Sequence, residues 1–395
     1  MVRNDVREVL TTFLRLGCTS FGGPIAHLQY FRRTLVAERG WLDDADFARI
    51  VAFCSVLPGP TSSQVGMLIG FLRAGAGGAF AAWLGFTAPS AILMACAAAA
   101  LIALGGQGPP WFGGLLSGLF AAAAAVVAAA VIGLARSLCT DLPTVAIAIG
   151  SAVVAIALRP IPGTQWAPIA AGALAGIFFA RRAAAEPWEP RALGLRVSRT
   201  VAAGAGVLAC VLLGITLLPR VPLTAFLGSI VRAGALVFGG GHVVLPFLQS
   251  MVRDHQIDER TFFAGYGVAQ AMPGPLFTFA SFLGYANLSP LHGAAGALTA
   301  TVLIFAPSFA LIFALAPVWN RITTLPHAAS ALRGANASVV GLLAAVFYDP
   351  ILPSLWGSWL RIAIALAAYA AIGPLRVAPW IVVGIAALLG ALLRA

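Results

Sequence analysis

The pattern RxGxxxFGG stands twice in this chain, from Arg15 to Gly23 and again from Arg232 to Gly240, at an offset of 217. Further matches follow in the same order. Leu42-Asp43-Asp44 with Phe47 is echoed by Ile257-Asp258-Glu259 with Phe262, and Pro58-Gly59-Pro60 by Pro273-Gly274-Pro275. The Pro89-Ser90 pair returns as Pro307-Ser308, and Ala167-Pro168 as Ala378-Pro379. Ordered matches at offsets between 211 and 218 mark a duplication, and whatever fold the chain adopts must be built from two copies of one unit.

Each unit is mostly apolar. Hydrophobic residues make up 60% of 395, against 24 basic and 13 acidic side chains, too little charge to cover a soluble core of that size. A bilayer crossing takes about 20 apolar residues as helix. Six apolar runs fall in each half: 9–31, 47–72, 78–104, 112–136, 142–158 and 164–180, then 223–250, 261–288, 293–317, 329–348, 355–373 and 377–393. One more, 200–219, lies between the halves. The expected fold is an all-α polytopic membrane protein of two six-helix repeats and a linking helix, about 13 spans, with helices broken at FGG and PGP. The second repeat starts an odd number of crossings after the first and is therefore inverted. The units read as an N-terminal repeat at 1–185, a basic linker and extra helix at 186–222 and a C-terminal repeat at 223–395.

Arginines set the expected orientation. The interval 181–199 carries five Arg and reads as cytoplasmic. With the N-terminus on that side, Arg73, Arg136, Arg253, Arg260, Arg321, Arg333 and Arg376 also fall inside, while Arg32, Arg33, Arg39 and Arg49 fall outside. A re-entrant first run would change this parity.

Several classes of function are excluded. All 24 basic residues are Arg, which removes P-loop ATP hydrolysis and Schiff-base chemistry. The net charge of +11 is scattered through short loops and forms no nucleic-acid footprint. Cys18, Cys54, Cys96, Cys139 and Cys210 are isolated, with no CxxC pair, and read as small apolar residues. No metal and no cofactor are expected. Arg3, Asp5, Arg7 and Glu8 open the chain without the pattern of a cleaved leader. No acid lies deep in an apolar run, so a buried carboxylate relay is not expected. His27 and His242, just after the two Gly-Gly pairs, are the candidates for proton coupling, with a structural hydrogen-bonding role as the alternative.

Gly-Gly and Pro-Gly-Pro inside apolar runs interrupt their helices and free backbone groups. In hydrocarbon such groups persist only when buried in protein or lining a cavity, and matching breaks in two repeats point to a binding site. A helix restarting after a break turns N–H groups and a positive dipole end into the gap, which favours an anion. The expected oxyanion site comprises Arg15, Ser20, Phe21, Gly22, Gly23, Pro58, Gly59, Pro60, Ser62, Ser63 and Gln64. Its counterpart comprises Arg232, Phe238, Gly239, Gly240, Gly241, Gln270, Pro273, Gly274, Pro275 and Thr278. Two readings fit Arg15 and Arg232, anion ligands or side chains snorkelling to headgroups. Asp43 and Asp258 read as helix N-caps.

These motifs resemble the chromate ion transporter family. The resemblance rests on Phe13-Leu14-Arg15-Leu16-Gly17, Ser20-Phe21-Gly22-Gly23-Pro24 with His27, Leu57-Pro58-Gly59-Pro60 with Ser62-Ser63-Gln64, and Arg73-Ala74-Gly75. In the second half it rests on Phe238-Gly239-Gly240-Gly241-His242, Ala264-Gly265-Tyr266-Gly267, Gln270, and Pro273-Gly274-Pro275 with Phe277-Thr278. It covers both halves, as in long two-domain members; only the stretch from Arg253 to Ile257 departs from the pattern. The resemblance implies export of chromate across the inner membrane, driven by the membrane potential or proton gradient, and chromate resistance. The partners it implies are chromate or a sulfate-like oxyanion, protons and the lipid bilayer, with a second copy of the chain as a further candidate. Tetrahedral dianions of similar size are poorly discriminated by such donors, so another anion such as sulfate, or a channel mechanism, remains an alternative. A membrane enzyme using Asp43, Asp44 and Asp46 to hold Mg²⁺ is disfavoured, because the second repeat keeps only Asp258 and Glu259.

Overall fold

The computed structural model describes residues 2–105, 110–158, 166–179, 197–216, 218, 221–237, 244–253, 256–318 and 327–393. All regular elements among them are helical, as the apolar runs require. The first repeat holds α1 (Val2–Thr19), α2 (Gly23–Phe31, continued by a π turn Arg32–Glu38), α3 (Asp44–Val56), α4 (Thr61–Gly105), α5 (Pro110–Leu138), α6 (Leu142–Ala157) and α7 (Trp166–Phe179). The extra run forms α8 (Arg199–Ile215). The second repeat holds α9 (Pro222–Leu236), α10 (Val244–Leu248), α11 (Ser250–Arg253), α12 (Glu259–Ala271), α13 (Phe279–Ala286), α14 (Gly293–Leu315), α15 (Ala328–Val346), α16 (Leu352–Leu355), α17 (Trp359–Ile372) and α18 (Pro379–Leu393). Asp43 and Asp258 cap α3 and α12, accepting from the backbone N–H groups of Asp46 and Thr261 at 2.7 and 2.9 Å.

The first two apolar runs of the first repeat, and the second of the second repeat, fold back on themselves. Glu8 in α1 binds Arg39, which follows α2, and Arg73, late in α4's first arm, at 3.0 and 3.1 Å. Both guanidiniums also lie over the Trp41 ring, 5.7 and 5.5 Å from its centroid. Positions 8, 39 and 73 therefore share one face, here the N-terminal face. The pair α1–α2 is a re-entrant hairpin turning at FGG, and α3 with the arm 61–73 of α4 is a second, turning at PGP. Ala74 and Gly75 then leave helical geometry and fold α4's second arm, 76–105, back against the first, where Gly78 lies close to Gly70. In the second repeat, Leu288 N–H donates to the Gln256 carbonyl at 2.8 Å, so α12–α13 also begins and ends on one face, the far face.

The expected count of 13 spans is not confirmed by the described residues. Three of the runs, 9–31, 47–72 and 261–288, fold back as hairpins, and four helices among the described residues are long and apolar enough to cross a membrane: Thr61–Leu104, Trp111–Leu138, Gly293–Leu315 and Ala329–Ile351. A run of some two dozen apolar residues suits one full span or two half-length helices, and the Gly and Pro breaks decide for the latter. The orientation of several loops changes with the count. Arg32, Arg33, Arg39 and Arg49 join the N-terminal face instead of opposing it, whereas Arg253 and Arg260 move to the far face. Arg321 and most of the interval 181–199 lie outside the described residues.

The repeats are interleaved. The close approach of Gly118 to Ala386 and of Gly390 to Gly114 seats α18 on α5, and Gly172 and Gly176 seat α7 against Gly334 and Ser338 of α15. Each repeat thus sends its last helix to the other. Arg333 on α15 also binds Asp141, the N-cap of α6, at 2.9 Å.

Candidate functional site

In the interior each PGP turn meets the opposite repeat, so that the two turns are crossed. Gly59 N–H, in the first PGP, donates to the Val237 carbonyl at 2.6 Å, and Gly274 N–H, in the second, donates to the Ser20 carbonyl at 2.8 Å. Ser20 and Val237 are the equivalent residues immediately before the two FGG motifs. Each PGP turn is therefore held by the opposite repeat. Gly59 and Gly274 have φ of 117° and 85°, a region that disfavours any Cβ. A Cβ on Gly59 would fall 2.6 Å from Ser308 Oγ, and one on Gly274 would fall 3.2 Å from Ser90 Cβ. The two serines of the Pro-Ser pairs thus underlie the two turns. Ser90 and Thr278 share a 2.6 Å hydroxyl bond, while Gln64 Nε2 donates to the Pro58 carbonyl at 2.7 Å and to Ser308 Oγ at 3.4 Å.

A cavity of about 610 Å³ runs from this junction toward the N-terminal face. Its floor is Gly22, Gly23 and Pro24 of the first FGG break with Gln270 and Gly274 of the second repeat; Arg136, late in α5, stands in its wall. No acid lines it. Gly22 adopts φ 98° at the start of α2, and that helix has no side-chain cap, so its first N–H groups face an opening with no built-in acceptor. Gln270 Nε2 is buried without a hydrogen-bond partner among the described residues. Arg136 likewise makes no hydrogen bond or ion pair there. Free donors, a helix N-terminus and a cation around one cavity suit a small anion.

The remaining sequence-derived positions divide into three groups. Ser20, Ser63 and Gln64 are buried at the tips, with Ser20 Oγ, Ser63 Oγ and Gln64 Oε1 unpartnered among the described residues. Ser62 pairs with His27 Nδ1 at 3.2 Å, and the His27 ring meets Phe86 edge-on. Pro60 accepts from Gln64 N–H, Pro275 accepts from Thr278 Oγ1, Pro273 is buried, and Phe21 rests on Trp380 at 5.4 Å. Arg15 is exposed and outside the cavity, and Arg232 is half-buried, donating to Ser229 at 3.1 Å. Phe238, Gly239, Gly240, Gly241 and His242 lie outside the described residues. Sequence reasoning passed over Arg136, Ser90 and Ser308 as site residues. The serines carried a signal in their repetition; Arg136 carried none, since a lone Arg at a helix end reads as a topology marker.

Comparison with known proteins decides the family. The chromate transporter family model matches twice, over residues 7–177 and 223–391. The chain belongs to the chromate transporter family. Within reach of it are a chromate transport protein of Cupriavidus metallidurans, 27% identical over 86% of this chain and 80% of that one, and another of Pseudomonas aeruginosa, 28% identical over 87% and 80%. A probable chromate transport protein of Synechococcus elongatus is 27% identical over 86% of this chain and 83% of its own. No solved structure matches. As a chromate transporter family member, the chain is a membrane transport protein, and its two family units are the two interleaved repeats.

Proposed function

We propose that this protein is a secondary transporter that carries chromate, a tetrahedral dianion resembling sulfate, out of the cytoplasm across the inner membrane and so confers chromate resistance. The observation that carries the reading is the acid-free cavity that ends on crossed helix breaks from both repeats, with Arg136, Gln270 Nε2 and the α2 N-terminus offering donors. The names of the relatives supply chromate, and the donors supply the preference for an oxyanion.

The orientation follows from the hairpins. Arg32, Arg33, Arg39, Arg73, Arg136, Arg199, Arg333 and Arg376 gather at the N-terminal face, against Arg253, Arg260 and Arg361 at the far face among the described residues. By the positive-inside rule the N-terminal face is cytoplasmic. The cavity then opens inward, as an exporter does when it loads. Inverted repeats give a route to the opposite state, with the two repeats exchanging roles around the crossed tips. The membrane potential or the proton gradient supplies the energy, and His27 and His242 are the coupling candidates in the latter case.

Labelled chromate uptake into inverted membrane vesicles tests the reading, with sulfate as competitor and an uncoupler added. The expected result is accumulation above equilibrium that sulfate inhibits and the uncoupler abolishes. Flux that only equilibrates describes a channel and overturns coupled transport.

A further inference from the structure

The far face holds a second cavity, at the other end of the helices that line the first. Its volume is about 430 Å³, and it is lined by Leu116, Ser117, Phe120, Glu259, Arg260 and Arg361. These residues lie near the starts of α5, α12 and α17, whereas the cytoplasmic cavity takes Arg136, Gln270 and Tyr369 from the ends of the same three helices. From Ser117 to Arg136 the helix rises about 28 Å, close to the hydrocarbon thickness. The two cavities are thus opposite mouths along one set of helices. Between them Phe120 packs edge-on against Phe263 at 5.2 Å, and Phe263 against Phe262 at 5.2 Å.

We infer that this far-face cavity is a second binding site for a tetrahedral oxyanion, with Arg260 and the Ser117 hydroxyl as its principal ligands. Neither side chain has a hydrogen-bond or ion-pair partner among the described residues, and Arg260 is aimed across the start of α5, its Nη2 3.6 Å from where a Gly113 Cβ would stand. The half-buried Arg361 adds a second positive charge. Glu259 in the same wall distinguishes this mouth from the acid-free cytoplasmic one. A carboxylate beside two guanidiniums weakens the hold on a dianion, which suits a site that releases its ligand. The inference rests on the oxyanion reading of the transport path. The same chemistry also fits the phosphate of an anionic lipid, so the test must separate free ion from headgroup.

The experiment measures equilibrium binding of labelled sulfate to the full chain in phosphatidylcholine nanodiscs, repeated in nanodiscs containing phosphatidylglycerol. Wild type is expected to bind at two sites. Arg260→Ala removes one or weakens it about tenfold, the effect of losing one charge-assisted hydrogen bond. Arg136→Ala affects only the other, and Glu259→Gln tightens the site that Arg260→Ala weakens. A purely structural role for these residues does not produce opposite signs. If phosphatidylglycerol abolishes the Arg260-dependent site, and mass spectrometry finds that lipid retained by wild type but not by Arg260→Ala, the oxyanion is a headgroup. Sulfate binding that is lost in Arg136→Ala but unchanged in both Arg260→Ala and Glu259→Gln overturns the second site and leaves the transport reading intact. Absence of sulfate binding to wild type, with no phosphatidylglycerol retained, overturns both.

Discussion

At the tip of the first repeat, Gly59 is pressed between Ser308 Oγ and Gln64 Nε2, whereas at the tip of the second, Gly274 meets backbone at Phe86 and Gly17 and the Cβ of Ser90. The backbone bonds that hold the two turns are equivalent, Gly59 to Val237 and Gly274 to Ser20. The side chains around them are not. Immediately after Pro60 and Pro275, the first repeat carries Thr61-Ser62-Ser63-Gln64 where the second carries Leu276-Phe277-Thr278-Phe279. Buried polar atoms are left without partners in the first case, and in the second the hydroxyl of Thr278 is used by Ser90 and Pro275. The duplication thus conserves the turn and lets its surroundings diverge, giving the protein one polar tip and one sealed tip at the same depth.

Substituting the two glycines probes this contrast most strongly. A side chain at these φ values costs about 1–2 kcal/mol, and overpacking adds about 1–3 kcal/mol. Gly59→Ala, with atoms at 2.6 and 2.7 Å, should lower stability by about 3 kcal/mol and Gly274→Ala by about 2 kcal/mol, measured by thermal unfolding in detergent. Equal losses would show that the tips are packed alike. The next largest effect separates the arginines. Arg136→Ala should raise the concentration for half-maximal chromate uptake about tenfold, whereas Arg15→Ala, exposed and outside the cavity, should leave it near wild type.

The serines give smaller differences. Ser90→Ala breaks a 2.6 Å buried bond and should cost about 1 kcal/mol. Ser308→Ala breaks a 3.4 Å contact whose donor keeps the Pro58 carbonyl, and should cost under about 0.5 kcal/mol. A reversed order would place the tighter junction at the first tip. The smallest effect concerns the tie between repeats at the N-terminal face. The Asp141 carboxyl is held below the usual carboxylate range, first by its hydrogen bonds to Thr144 and then by Arg333. A depressed value means stabilisation that is present above the unfolded carboxylate range and is lost as pH falls through the folded one. Melting temperature should therefore drop on acidification in wild type, and that acid component should shrink in Asp141→Asn.

Much of this was legible in the residues. The duplication, the break at the first FGG, the breaks at the two PGP turns and the caps at Asp43 and Asp258 follow from local chemistry. The reading failed where two structures share one local pattern. The run 47–72 suits a full span as well as two half-helices, and the ion pairs from Glu8 to Arg39 and Arg73 that settle it join positions far apart in the chain. The same holds for the exchange of tips, which no spacing encodes. Arg136 was obscured because its role depends on the cavity beside it, not on its neighbours in sequence.

The crossed tips are the centre of this account, and a disulfide tests them directly. In a chain with Cys18, Cys54, Cys96, Cys139 and Cys210 replaced by Ala, Ser90→Cys is paired in turn with Thr278→Cys and with Ser63→Cys, the equivalent position of its own repeat. The hydroxyls of Ser90 and Thr278 stand 2.6 Å apart, well within the reach of a disulfide. After oxidation, peptide mass analysis should find the cross-repeat pair linked and the same-repeat pair free. Linkage of Ser90→Cys to Ser63→Cys instead would show that each PGP turn stays with its own repeat, and would contradict the crossed junction on which the proposed transport site is built.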